Sequence, residues 1–445
     1  MPRRRRRKPL PENTTVTIES LTHDGRGVCH IDGKAVFVDG ALPGEEVEIA
    51  FTRTSRKFDE AKVENVLVAS KNRVEPRCEY FGLCGGCSLQ HMSPEAQVQS
   101  KQQAMLEGLE HIGKVQPENI LEPITASVWG YRRKARLGVK YVVKKGRVLV
   151  GFREKRNSFL ADIKRCETLY PAVGEKLEII SELIGGLDAK NTIPQIEVAV
   201  ADNATALVFR HLEPLTKTDS EKLKQFGKDH QFEIWLQSAG PDSIVPISEK
   251  IQPLYYKHKD FDVKIEIAPL DFFQINTDIN HQMVKRAIKL LDIKPEDKVL
   301  DLFCGLGNFT LPMARKAKEV IGVEVDQVMV NRARQTAQKN NIQNTKYFVT
   351  DLMGGMENEP WLKENYNKIL LDPPRTGAKE VIEKIGRIGA EKIVYVSCHP
   401  GSLARDAGIL VNDFGYRLVG AGVMDMFPHT AHVESMAVFE RVSKH

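Results

Sequence analysis

A chain of 445 residues with 42% hydrophobic content can build more than one core, and at about 150 residues per domain it is expected to hold roughly three domains. No apolar run reaches the length of about 18 residues that a helical membrane span needs, so no membrane association is expected. The net charge of +5 permits an anionic partner without demanding one.

Residues 1–11 read as a basic tail. The arginines from Arg3 to Arg7 are followed by no apolar stretch, which argues against a secretory signal. Seven cysteines, an odd number, argue against a disulfide framework and for a reducing cytoplasmic setting.

Residues 12–70 read as short strands (TVTIESL, GVCHI, KAVFV, EEVEIAFTR, AKVENVLVA) punctuated by Asp24-Gly25, Asp32-Gly33 and Pro43-Gly44. Alternating apolar and charged residues give each strand one buried face, the pattern of a small all-β barrel.

Residues 71–265 form a central α+β region. It opens on a Cys- and Gly-rich stretch from Cys78 to Cys87, continues with a helix near Pro94 to Ile112, and then runs through mixed strands. Arg or Lys occupies five of the ten positions from Tyr131 to Lys140. Such a strand is either a solvated face or a phosphate-contacting one.

Residues 266–445 alternate apolar strand runs (KVLDLF, EVIGVEV, KYFVT, KILLD, KIVYVS) with helical patterns, which implies an α/β domain with a mainly parallel sheet. The last two runs, YRLVGAGVM and ESMAVFE, have no long helix between them and are expected to close the sheet as a hairpin.

Three constellations carry chemistry. After the first strand of the α/β domain comes Asp301-Leu-Phe-Cys-Gly-Leu-Gly307-Asn308, whose glycines allow a ligand to approach the backbone. Phe309 and Thr310 follow, so the third glycine of a dinucleotide fingerprint is missing and pyrophosphate is disfavoured. Glu324 at the end of the second strand can accept from ribose hydroxyls, and Asp351 at the end of the third from an adenine amino group. Together they point to an adenosyl ligand.

The second constellation is Asp372-Pro-Pro-Arg375 after the fourth strand with Ser397-Cys398-His399-Pro400 after the fifth. Enzymes that methylate exocyclic amines place an aromatic residue after a similar Asp/Asn-Pro-Pro, whereas Arg375 stands here. A strand-end cysteine suits another chemistry. Uracil carbon 5 attacks a methyl donor poorly until a thiolate adds to carbon 6, after which a base must remove the carbon-5 proton. Cys398 would be the thiolate, with His399 and Arg375 as candidates to lower its pKa, and Glu434 is a candidate base. Taken alone, Cys398 reads more readily as a buried structural thiol, and Glu434 as a surface carboxylate. His429 and His432 read as loop or substrate contacts.

The third constellation is Cys78, Cys84 and Cys87 with the distant Cys166. Four thiolates suit tetrahedral zinc or an iron–sulfur cluster. Gly85 and Gly86 favour the cluster, because their amides can approach its sulfides.

In combination, Phe273-Gln274, DLFCGLGNFT, LLDPPR, VSCHP and HTAHVES make nearly the whole chain resemble the bacterial 23S ribosomal RNA uracil-5-methyltransferases. The resemblance implies an S-adenosylmethionine-dependent, Rossmann-like class I methyltransferase domain over 266–445. It implies an OB-like TRAM barrel over 12–70 that binds RNA, and a [4Fe-4S] cluster on Cys78, Cys84, Cys87 and Cys166 in the central domain over 71–265. Cys398 becomes the nucleophile and Glu434 the base, with Gln274, Phe303, Asn308, Glu324, Asp351 and Asp372 as methyl-donor and substrate contacts. Asp372 would also hold the base edge and favour uracil over cytosine. Relatives acting on transfer RNA lack both barrel and cluster, so the implied substrate is 23S ribosomal RNA, met by a monomer. His399 and Ala431 stand where the family often has Asn and Gly.

Overall fold

The computed structural model describes residues 10–249 and 251–442, so most of the expected basic tail lies outside the described residues. Two compact units are present. One holds the described residues up to Ser100 together with Glu154–Asn157 and Phe427–His432; the other holds Lys101–Arg153, Ser158–Met426 and the residues from Val433 on. Among the described residues no helix is long and apolar enough to cross a membrane.

The first unit contains a six-stranded barrel made from Thr14–Thr17, Ser20–Leu21, Gly27–Ile31, Lys34–Asp39, Glu46–Thr54 and Phe58–Val68. Closure comes from its first stretch. Thr14–Thr17 pairs antiparallel with Glu46–Ile49, while Ser20–Leu21, a few residues on, pairs with Gly27–Val28. One bent segment therefore covers both sheet edges, which removes the open edge that a flat sheet would expose. Ile18, Val36, Val38, Val47 and Ile49 fill the interior, and Cys29 sits among them at 1% exposure. Burial pushes the Cys29 thiol up to about 11, so this cysteine is a core residue.

The barrel is tied to the following segment by a buried ion pair. Glu45 is fully buried and accepts from Arg73 Nε at 2.5 Å and Nη2 at 2.7 Å, from the Leu42 amide at 2.8 Å and from the Ser70 amide at 3.2 Å. Burial opposes its ionisation, but these donors together hold the carboxyl below its usual value. Arg73→Met would strand the buried carboxylate, and we expect a loss of ~3–5 kcal/mol in urea unfolding followed at neutral pH. The stabilisation by Glu45 exists above the unfolded carboxyl pKa of 4.5 and disappears as pH falls through the lower folded value.

The second unit contains two large sheets. One orders its strands Ile244–Pro246, Phe232–Gln237, Thr205–Arg210, Gln195–Val200, Lys134–Val142 and Arg147–Gly151. Beside it runs the hairpin Leu254–His258 with Val263–Ile267.

The other sheet has eight strands. Its parallel part runs Thr345–Val349, Glu319–Glu324, Lys298–Leu302, Lys368–Leu371 and Lys392–Ser397. The inner strands of this part are buried at almost every position, as expected of a parallel sheet covered by helices on both faces. The hairpin expected at the end is present: Glu434–Arg441 inserts antiparallel between Lys392–Ser397 and Tyr416–Met424. The helix expected near Pro94 spans Pro94–Gly108 and widens into a π-helical turn at Leu109–Gly113. That turn packs closely on the helix Pro400–Phe414, where a Cβ on Gly408 would lie 2.7 Å from the Gly113 carbonyl. The eighth strand, Asn119–Ile120, pairs parallel with Tyr416–Met424, and two residues without periodicity gave no sign of it in the sequence.

Candidate active site

The adenosyl-type loop follows Lys298–Leu302 at the carboxyl end of the sheet. Phe303, Gly305 and Gly307 have φ of +65°, +53° and +89°. The left-handed conformation is costly for a phenylalanine, and strain of this kind collects at ligand-binding turns. Gly305 donates its N–H to Glu324 Oε2 at 3.1 Å, while Glu324 Oε1 accepts from Val325 at 2.9 Å and Asp326 at 3.2 Å. The carboxylate is thus fixed at the strand end and anchored to the glycine turn. Asp351, one residue past Thr345–Val349 and Thr350, is exposed and accepts from the Met353 amide at 2.9 Å.

Asn308 is held by a local hydrogen-bond network. Its Oδ1 accepts from Tyr256 at 3.1 Å, His258 Nε2 at 2.9 Å and Asn280 at 3.0 Å, and its amide donates to Asn280 Oδ1 at 2.9 Å. The side chain pins the loop to the hairpin Leu254–His258 and the helix Thr277–Leu291. Burial pushes His258 down to about 4, against the hydrogen bond to Asn308, so a neutral imidazole donates here.

Beneath the loop lies Asp301, which sequence reasoning did not single out as a site residue. It is fully buried, Thr310 donates to one oxygen, and the other has no hydrogen-bond partner among the described residues. Burial first, then the carboxylates of Asp372 and Glu324, raise it to about 8. An incompletely satisfied, largely protonated acid under a ligand loop is a mark of a functional floor.

Cys398, Asp372 and Glu434 are brought together by three adjacent strands. Asp372 follows Lys368–Leu371, Cys398 follows Lys392–Ser397, and Glu434 begins the strand that pairs with the latter, with Ser397 opposite Ser435. Each group bears on another electrostatically. The Cys398 thiol is pushed up to about 11, by burial first and then by Glu434 and Asp372, with Arg375 acting in the opposite direction. Burial raises Asp372 to about 7. Glu434 is raised by burial and by Asp372, while Lys101 and Arg375 lower it. Three acids in one low-dielectric cleft cannot all ionise together, so the site stores protons at neutral pH.

The expected lowering of the thiol pKa is not found: burial and the two carboxyls outweigh Arg375, the one expected group that acts downward. His399 caps the following helix instead, accepting from the Ser402 amide at Nδ1 at 3.2 Å. Gln274 is half-buried beside Phe273, which stacks against Tyr256 with centroids 6.4 Å apart.

Lys101 and Asp425 were not found by sequence reasoning. They form an ion pair with Nζ 2.6 Å from Oδ1, each at 3% exposure. A polar helix sequence around Lys101 (QSKQQ) gives no sign that this lysine is buried.

His429 belongs to the first unit and is held by its own fold. Its amide donates to Gln97 Oε1 at 2.8 Å, and its carbonyl accepts from Ser88 at 2.9 Å and Leu89 at 3.0 Å. The basic strand is partly committed as well. Arg133 pairs with Asp202 at 3.2 Å, Lys134 donates to the Pro269 carbonyl, and Arg136 pairs with Glu197. Only the Arg136 and Lys140 side chains stay exposed on it.

Among the described residues no cysteine is joined in a disulfide. Cys304 packs into a core with Val330, Ala333 and Tyr347, whereas Cys78, Cys84, Cys87 and Cys166 are only half-buried. Gly86 directs its N–H at Cys84 Sγ, 3.4 Å away. Among the described residues no group of three or more His, Cys, Asp or Glu is gathered closely enough to hold a metal ion.

A family model described as tRNA (Uracil-5-)-methyltransferase matches residues 196–442, and a TRAM domain model matches residues 12–63. The chain is similar to the 23S rRNA (uracil(1939)-C(5))-methyltransferase RlmD of Alcanivorax borkumensis, at 52% identity over 443 residues and 99% of each chain. It is similar to the protein of the same description from Francisella tularensis subsp. holarctica, at 51% identity over 431 residues and 96% of each chain. Among solved structures it shares a fold with the Pyrococcus abyssi tRNA (uracil-54, C5)-methyltransferase in complex with S-adenosyl-L-homocysteine. There the TM-score is 0.72 at 22% identity, over 96% of this chain and 100% of that one.

Proposed function

The chain belongs to the tRNA (uracil-5-)-methyltransferase family, and we propose that it methylates carbon 5 of one uridine in 23S ribosomal RNA, with S-adenosylmethionine as the methyl donor. It joins an N-terminal TRAM domain to a class I methyltransferase domain of the α/β type. The observation that carries the reaction is the sharing of one strand-end cleft by Cys398, Asp372 and Glu434.

In this reading Glu324 accepts from the donor's ribose hydroxyls and Asp351 from its adenine amino group. Phe303 and Gln274 line the same side, and Asn308 serves by fixing the loop. Asp372 as a carboxylate accepts from uracil N3–H; cytosine offers a lone pair there, which would leave the acid unpaired. The Cys398 thiol gives its proton to solvent as its sulfur bonds to carbon 6, and the enolate carbon 5 then takes the methyl group, with S-adenosylhomocysteine as the leaving group. Glu434 removes the carbon-5 proton, the ring double bond re-forms, and the sulfur leaves. Because the thiol and both carboxyls are raised, the rate should climb with pH through neutrality.

A target base has to leave its stack to reach this cleft, so a loop or flipped nucleotide is the substrate form. The barrel over 12–70 and the exposed cations of the central region over 71–265 supply salt-sensitive affinity. The chain acts as a monomer in the cytoplasm, where its substrate resides.

A [4Fe-4S] cluster on Cys78, Cys84, Cys87 and Cys166 completes the reading. Its support is the donor chemistry: four half-buried thiols, one of them receiving an N–H, set apart from the core thiols Cys29 and Cys304. Such a cluster would brace the fold when bound, and no step above passes through it. Anaerobically purified protein should carry about four iron and four sulfide per chain; zinc without sulfide would reject the assignment.

Mapping 5-methyluridine in 23S ribosomal RNA from cells with and without the gene tests the function. One modified uridine should vanish with the gene and return with a plasmid copy. An unchanged methylation map would refute the proposal.

A further inference from the structure

A buried lysine is expensive unless it is paired, and its pairing tells what it is for. Lys101 lies on the helix Pro94–Gly108 and Asp425 directly follows the strand Tyr416–Met424, with 2.6 Å between Nζ and Oδ1. Met424, the residue before Asp425, is the cross-strand partner of Glu434. The ion pair therefore sits at the end of the hairpin that presents Glu434 to the cleft. Asp425 is itself fixed there, donating its amide to the Ile124 carbonyl at 2.8 Å.

Among the described residues the charged and titratable groups that act on Glu434 include Asp372, Arg375, Lys101 and the Cys398 thiol. Asp372 and burial work against its ionisation, while the two cations favour it. Arg375 is exposed, so its charge is weakened by solvent; Lys101 is shielded from water, and although burial lowers its pKa, Asp425 and Glu434 both favour its charged form.

We propose that the Lys101–Asp425 pair is a positioning device for Glu434, in which Asp425 keeps the buried lysine charged and Lys101 keeps the Glu434 carboxylate ready to take the carbon-5 proton. This rests on the reaction proposed above. The step it serves is the last one. The C5–H bond breaks, its electron pair re-forms the C5–C6 double bond, the C6–S bond opens to return the Cys398 thiolate, and the proton ends on Glu434. If the carboxylate is protonated when methyl transfer is complete, the covalent RNA adduct has no route forward.

Single-turnover methylation at varied pH, with the adduct followed on denaturing gels, tests the inference with the full-length protein. Lys101→Met should move the acid limb of adduct decay upward by about one pH unit or more. At pH 7 decay should slow about 10-fold or more, with methyl transfer to RNA less affected. Lys101→Arg, which keeps the charge, should restore part of the decay rate.

Removing one member of a buried pair can unfold a protein, so Lys101→Met/Asp425→Leu, which removes both charges, supplies the same test on a foldable chain. That double variant should bind S-adenosylmethionine as the wild type does and still show the shifted limb. A folded variant with an unshifted limb and normal adduct decay would overturn the inference while leaving the uracil reaction intact. Loss of the reaction itself would show instead as a wild-type protein that forms no adduct.

Discussion

Cys398→Ala is expected to abolish turnover, lowering kcat by ~10⁴-fold or more, while S-adenosylmethionine binding measured by calorimetry stays within about twofold of the wild type. The argument is chemical. Carbon 5 of uracil carries too little electron density to attack the methyl donor unless a nucleophile has added to carbon 6, and no neighbouring group replaces a sulfur in that role. Asp372 and Glu434 share the cleft with Cys398, but both are raised by burial, which makes them reluctant anions at neutral pH. The substitution removes one half-buried sulfur, so its structural cost should be near ~1 kcal/mol. An inert thiol would predict the reverse: activity retained, with any loss following stability. The two outcomes separate on a single assay of turnover beside a melting curve.

Glu434→Gln has the second largest expected effect and a different signature. Overall kcat should fall by about 10²–10⁴-fold, yet methyl transfer should proceed and a methylated covalent complex should accumulate. Stability offers an independent check with a definite sign. The folded carboxyl is raised above its unfolded value of 4.5, so the unfolded state ionises first and the native protein loses stability as pH rises between the two values. Glutamine removes that loss. The variant should therefore be at least as stable as the wild type at pH 8 while being far slower, the trade expected where an acid is held in an unfavourable setting for catalysis. A variant that is slow because it is poorly folded would show the opposite.

The barrel and the α/β domain were legible because their signals are local. Turn dipeptides and period-2 alternation mark the strands between Thr14 and Val68, and apolar runs such as KVLDLF and KIVYVS end where chemistry-bearing residues begin. The closing hairpin could be inferred from the missing helix between Met424 and Glu434. The barrel's closure through a bent first strand could not, since pairing of one segment with two distant partners leaves no pattern in that segment.

At the site, Cys398, Asp372 and Glu434 were readable as strand-end residues, because open parallel sheets gather their functional groups there. What escaped was everything that depends on burial across the fold. Lys101 reads as an ordinary helix lysine, and Asp301 as the start of a motif rather than an unsatisfied acid beneath it. The bonds of Asn308 to Tyr256, His258 and Asn280 leave no trace in its motif either. His399 lies next to the nucleophile in sequence, yet its imidazole faces the helix it caps. Adjacency along the chain says little about which way a side chain points when a strand turns into a helix.

The central claim is that a covalent bond forms between Cys398 Sγ and uracil carbon 6. A 5-fluorouridine version of the 23S ribosomal RNA target, incubated with the protein and S-adenosylmethionine, tests it most directly. Fluorine at carbon 5 leaves no proton for Glu434 to remove, so the methylated adduct should persist through denaturation. Mass spectrometry should then find it on the peptide that carries Cys398. No adduct with the wild-type protein, or an adduct undiminished in Cys398→Ala, would contradict the account.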